Sequence, residues 1–169
     1  LQLYRPAEVP PFKVEFDGPT KWSAVIKDAR DSTYVAVYNF TASGTYSVQI
    51  AVRGFSGSQT HALLLSPGAM HAGTSFIHIN DIENLMAGQA RAIPIRVHDR
   101  FGNMVPTPNT VSALSEVNCL MPPKGKIDVF ATKNQFVVTL DTTASGAYSL
   151  TLSISGEPVP TSPYKIHVQ

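Results

Sequence analysis

The amino-acid sequence predicts an all-β fold, built as a tandem pair of antiparallel β-sandwiches, on three observations. Residues 41–50 (Thr-Ala-Ser-Gly-Thr-Tyr-Ser-Val-Gln-Ile) and 143–152 (Thr-Ala-Ser-Gly-Ala-Tyr-Ser-Leu-Thr-Leu) are near copies offset by 102 residues. A repeat at that spacing makes each copy one small unit of similar structure. Apolar residues recur with period two in Gln135-Phe136-Val137-Val138-Thr139-Leu140 and in Tyr148-Ser149-Leu150-Thr151-Leu152-Ser153-Ile154, placing one strand face on a core and the other in water. Thirteen prolines and eleven glycines interrupt the chain at short intervals and leave few places for a helix of ordinary length.

Taken in order, the first unit carries strands over 14–16, 23–26, 34–38, 46–52 and 62–65, rich in β-branched and aromatic residues. Between the third and fourth of these, Gly44 of Thr41-Ala42-Ser43-Gly44 can take the positive φ that a reversal often needs. Pro67-Gly68 marks the boundary, so the units are 1–67 and 68–169. In the second unit, strands are expected over 75–80, 90–98, 111–116, 126–131, 135–141, 147–154 and 164–168. Seven short strands in about 100 residues suit an immunoglobulin-like sandwich. The stretch 81–89 is short, contains Gly88 and reads as a loop or single turn. The first unit aligns with 103–168 of the second, so it lacks counterparts of the first two strands. Half a sandwich would expose its inner face, so the missing strands are expected to belong to an upstream part of the protein, or residues 1–11 to substitute for one of them.

Composition narrows the function. With 43% hydrophobic residues, 15% charged residues and a net charge of +1, the chain can build a core but carries no electrostatic footprint for nucleic acid or an anionic membrane. Apolar runs such as Ala62-Leu63-Leu64-Leu65 are far too short to span a bilayer, so no membrane insertion by this segment is expected. No signal peptide is expected within this segment, and targeting or anchoring is expected to lie outside it. Cys119 stands alone, which rules out an internal disulfide and suits a buried, inert thiol.

Two segments carry a family resemblance. Phe16-Asp17-Gly18-Pro19-Thr20-Lys21-Trp22 and the long pattern from Gly146 and Tyr148 through Gly156-Glu157-Pro158-Val159-Pro160-Thr161-Ser162-Pro163-Tyr164 to Val168 resemble the filamin-type immunoglobulin-like repeat. In that family an acidic-Gly-Pro-Ser/Thr-Lys turn joins strands C and D, Gly-x-Tyr opens strand F, and a segment ending in Ser-Pro-aromatic leads into strand G. The match covers nearly all of both units. The first unit departs from it with Gln59-Thr60-His61-Ala62 in place of Ser-Pro, and the second with Met121-Pro122-Pro123-Lys124-Gly125 at the acidic turn. The stretch from Ala87 to Asn103 is closer in style to filamin-type domains of plant and algal cell-surface proteins, above all those of gamete-expressed sperm adhesion proteins. That resemblance implies a non-catalytic adhesion module of a larger membrane-anchored protein, at the extracellular face of the plasma membrane. It would attach gametes at fertilisation through a protein partner on an opposing cell. The alternative is a cytoplasmic, cytoskeleton-associated scaffold that binds partner peptides along strands C and D.

Candidate sites are few. His61, His71, His78, His98 and His167 are scattered without ligand spacing, and Asp28, Asp31, Asp81 and Glu83 are too sparse for calcium, so no metal or other cofactor is expected. Gly54-Phe55-Ser56-Gly57-Ser58 lacks the strand-to-helix setting of a reactive serine, and no glycine-rich loop precedes a helix. Neither catalysis nor a small-molecule substrate is expected. Asn39-Phe40-Thr41 is a glycosylation sequon at a strand end. The resemblance implies partner binding by strand addition along strands C and D, which map to Val14, Phe16, Trp22 and Ala24 in the first unit and to Val111, Ala113, Ser115, Ile127 and Val129 in the second. Pro122, Pro123 and Lys124 would protect that second edge. Trp22 is expected at a core or boundary, with a contact role as the alternative.

Overall fold

The computed structural model describes residues 11–55, 57–106, 117–120, 125–132 and 135–169. The chain divides into two compact units, Leu1–Ser66 and Pro67–Gln169. Among the described residues there are strands and two single-turn 3-10 helices but no α-helix.

The first unit holds β1 (Phe12–Asp17), β2 (Trp22–Ser23), β3 (Val25–Asp28), β4 (Tyr34–Val37), β5 (Gly44–Val52) and β6 (Ser58–Leu65). One antiparallel sheet runs β2-β1-β5-β6, and β3 and β4 form a second of two strands. Alternation along β1 buries Val14 and Phe16 and leaves Lys13 and Asp17 exposed, while Tyr46 on β5 completes the buried centre. Ala24, Ile26, Ala36, Phe40, Val48, Ile50, Leu63 and Leu65 pack around these three.

The repeated Thr-Ala-Ser-Gly segment is a corner between sheets, because β4 and β5 belong to different sheets and do not pair. A hairpin turn would have paired them. Gly44 has φ 139° there, and a Cβ at that position would lie 2.6 Å from Pro19 Cγ. Gly18 is equally constrained, since a Cβ would meet Thr45 O and Tyr46 Cδ1 at 2.8 Å. The two motifs therefore form one joint around Tyr46, whose hydroxyl donates to Ala42 O at 3.0 Å and lies 3.0 Å from Thr20 Oγ1. The second copy repeats this bond, with Tyr148 OH donating to Ala144 O at 2.6 Å.

The second unit holds β7 (Phe76–Ile77), β8 (Arg91–Arg96), β9 (Val117–Leu120), β10 (Gly125–Ala131), β11 (Phe136–Thr142), β12 (Gly146–Ile154), β13 (Glu157–Pro158) and β14 (Tyr164–Val168). One antiparallel sheet runs β10-β11-β8-β7; in the other, β12 pairs with β9, β13 and β14. Ile93, Ile95, Phe136, Val138 and Leu140 from the first sheet meet Leu150, Leu152, Ile154, Ile166 and Val168 from the second in one buried core.

The strand expected over 75–80 shrinks to Phe76–Ile77. His78 Nδ1 accepts from Asn80 N at 3.3 Å, which starts a 3-10 turn over Ile79–Asp81 instead. The strand expected over 111–116 lies outside the described residues. Cys119 sits on β9 opposite Leu152. Before β14, Val159 plugs into the core, Ser162 Oγ accepts from Leu152 N at 2.9 Å in place of a ladder bond, and Tyr164 OH accepts from Ile77 N at 2.8 Å. Those contacts are the physical content of the long C-terminal pattern. The first unit lacks the pattern, and β6 accordingly runs unbroken over eight residues.

Candidate functional site

Trp22 lies at the surface, 47% exposed, not in a core. The turn after β1 returns the chain so that Trp22 pairs with Phe16 and Ser23 with Glu15. As a two-residue edge strand, β2 leaves much of the indole uncovered. Beside it, Glu15, Phe16, Asp17, Lys21, Ser23 and Gln49 complete a groove of about 320 Å³. Lys13 Nζ lies 2.8 Å from Glu15 Oε1 and Lys21 Nζ lies 3.4 Å from Asp17 Oδ1, so each carboxylate already has a cation. These exposed pairs contribute little energy. The indole brings a large apolar ring and one N–H donor to this groove.

The other candidates are dispersed. Val14 and Phe16 are core side chains and Ala24 packs on that core, so they can offer a partner mainly backbone. On that side β1 is already engaged by β2 over Glu15 and Phe16, and Val14 O accepts from Ala24 N at 2.9 Å. Ile127 and Val129 on β10 turn towards the core of the second unit, with Asp128 and Phe130 on the exposed face. Val111, Ala113 and Ser115 lie outside the described residues. Asn39 is exposed just past β4.

The acidic loop residues have structural roles. Asp28 Oδ1 accepts from Arg30 N at 2.8 Å, Asp31 Oδ1 from Thr33 N at 3.0 Å, and Asp81 Oδ2 from Arg96 Nη1 at 2.7 Å. Among the described residues, no three His, Cys, Asp or Glu side chains converge in a way that could hold a metal ion. No helix there is long and apolar enough to cross a membrane.

A second surface feature went unnoticed in the sequence. The β3–β4 sheet exposes Val25, Tyr34, Val35, Val37 and Tyr38, and Phe12, Val14, Ile26, Ser32, Tyr34, Ala36 and Ile50 line an open hollow of about 300 Å³. The signal was present in Tyr34-Val35-Ala36-Val37-Tyr38, which has no polar residue on either face and so belongs to a strand that needs cover on both.

No protein-family model matches the chain, and no curated protein matches it. Solved structures do. The Lin-41 filamin domain is 14% identical with a TM-score of 0.50, over 60% of this chain and 98% of that one. Invasin, a bacterial integrin-binding protein, is 20% identical with a TM-score of 0.59, over 94% of this chain and 32% of that one. The Escherichia coli adhesin FdeC is 15% identical with a TM-score of 0.55, over 92% of this chain and 51% of that one. The chain thus spans a third to a half of the length of these two bacterial structures. At such identities the likeness establishes the fold, which is that of tandem immunoglobulin-like, filamin-type sandwiches.

Proposed function

We propose that this chain is a non-catalytic adhesion module, working at the outer face of the plasma membrane as part of a larger membrane-anchored protein. The process it serves is attachment between gametes at fertilisation, with a protein on the opposing cell as partner. The observation that carries the reading is the half-exposed Trp22 over its groove. A large aromatic ring already held by an ordered strand is the type of residue that dominates protein recognition, because little side-chain entropy is lost on contact. The sandwich pair shared with adhesin structures, together with the resemblance of residues 87–103 to gamete-surface domains, supports the same setting.

The test is the Trp22→Ala substitution in the full-length protein displayed on cells. Loss of a central aromatic contact costs about 2 kcal/mol, or roughly thirty-fold in affinity, so attachment should fall at least several-fold at unchanged surface amount. Unchanged attachment removes Trp22 from the interface, and unchanged attachment after deleting both units removes the adhesion reading itself.

Asn39 is the expected glycan site. Protein secreted from a eukaryotic host should lose a glycan-sized mass on Asn39→Gln; identical masses for the two would withdraw the covalent support for a surface location.

A further inference from the structure

The β3–β4 sheet carries an apolar face on the side away from the first unit's core. Ile26 and Ala36 pair across the two strands and pack on that core, so their neighbours along each strand point the other way. On that outer face Val25 lies opposite Val37 and Lys27 opposite Val35. Val25 is 60% exposed, Val35 50% and Val37 41%. An outer sheet face ordinarily takes polar residues, and three valines there call for a cover.

The alternation continues past the end of β4. Tyr38 and Phe40 both turn inward, with ring centroids 5.0 Å and 4.9 Å from that of Phe16. Asn39 between them is exposed and belongs to the outer face, in line with Val35 and Val37. It is also the asparagine of the Asn39-Phe40-Thr41 sequon. The second unit supplies the contrast. At the 102-residue offset Asn39 becomes Asp141, so the sequon is lost, and Val37 becomes Thr139, which pairs with exposed Asp128. Val137, the counterpart of Val35, is buried. An exposed Val25–Val37 pair thus accompanies the sequon, and an Asp128–Thr139 pair stands where the sequon is missing.

We propose that an N-linked glycan on Asn39 lies back over Val37 and Val25, and that its first N-acetylglucosamine is the cover of this face. The bond forms between Asn39 Nδ2 and C1 of that sugar, as the C1–O bond to a lipid-diphosphate donor breaks and the amide gives up one proton. Two residues of extended chain separate Asn39 from Val37, about 7 Å, which an asparagine side chain and one sugar ring can span. The C–H side of the ring and the acetyl methyl gain by leaving water against the valines, while the sugar hydroxyls stay solvated. The inference rests on the reading of Asn39 as a glycan site and is independent of Trp22.

Hydrogen exchange tests it on the full chain secreted from eukaryotic cells and trimmed enzymatically to a single N-acetylglucosamine, with occupancy of Asn39 read first by mass. Amides of β3 and β4 in that form should exchange at least fivefold more slowly than in Asn39→Gln. With Val25→Thr and Val37→Thr added to both forms, the difference should vanish while β5 amides keep their protection. An occupied Asn39 that slows nothing overturns this inference alone; an unoccupied Asn39 overturns it together with the glycan reading. Slowing that survives both threonines would seat the sugar elsewhere and overturns it as well. Slow exchange already present in dilute Asn39→Gln would assign the cover to residues 1–10, and slow exchange that grows with the concentration of Asn39→Gln would assign it to a second copy. Either result also overturns the proposal.

Discussion

Tyr46→Ala is expected to unfold the first unit while the second keeps its structure. Only Val14, Phe16 and Tyr46 are buried at the centre of the first unit among its described residues, and Tyr46 is the largest of them. Removing a buried ring costs about 4 kcal/mol through lost burial and the cavity left behind. A single core in a unit this small rarely supplies more than about 3–5 kcal/mol, so the loss consumes the whole of its stability. Tyr46→Phe keeps the ring and forfeits only the hydroxyl's bonds to Ala42 O and Thr20 Oγ1, which should cost about 1–2 kcal/mol. Residue-resolved hydrogen exchange would read both. With alanine, β5 amides should exchange at unfolded rates and β12 amides stay protected; with phenylalanine, β5 should lose part of its protection. Full protection of β5 in the alanine variant would show that the joint around Tyr46 does not hold the unit together.

That joint also shows how far residues alone could be read. The identity of the two Thr-Ala-Ser-Gly-x-Tyr segments was visible, as was the Asp-Gly-Pro-Thr-Lys turn. Their contact was not, because nothing in linear spacing brings Pro19 within 2.6 Å of where a side chain on Gly44 would begin. From β10 onward the long strands of the second unit could be placed to within a residue, since apolar alternation and packing agree there. The start of β6 was hidden for the opposite reason. Ser58-Gln59-Thr60-His61 has no hydrophobic pattern and is exposed, and its backbone pairing with β5 alone makes it a strand. For the site, residue type flagged Trp22 and expected it at a core or boundary, whereas it is 47% exposed. A lone tryptophan reads as core by composition, whereas its exposure is decided by β2 being a two-residue strand at a sheet edge.

Asp99→Ala is expected to destabilise the second unit by about 3 kcal/mol, through a different mechanism. Asp99 is a charged residue that is only 2% exposed. Its Oδ2 accepts from Gly68 N at 2.9 Å and from Asn103 Nδ2 at 2.8 Å, and its Oδ1 from Phe101 N at 2.9 Å and Asn103 N at 3.0 Å. The side chain thus ties the first residues of the unit to the loop after β8. Burial works to raise its pKa, but the donors from Asn103, Gly68 and Phe101 outweigh burial and hold it at about 2, below the ordinary 3.8. Alanine would leave three backbone N–H groups and an amide without their acceptor, which is where the cost arises. The sign of the pH dependence follows from the lowered value. The folded carboxylate binds its proton less readily than the unfolded one, so its stabilisation is complete above about pH 4 and is lost as pH falls towards about 2. Asp99→Asn separates charge from shape. It keeps an acceptor for two of the four donors, should cost less than alanine, and should remove this acid-dependent part of stability. Denaturant midpoints of the second unit between pH 5 and pH 2 would measure it. An unaltered acid slope in Asp99→Asn would mean that another group, not this carboxylate, sets the response.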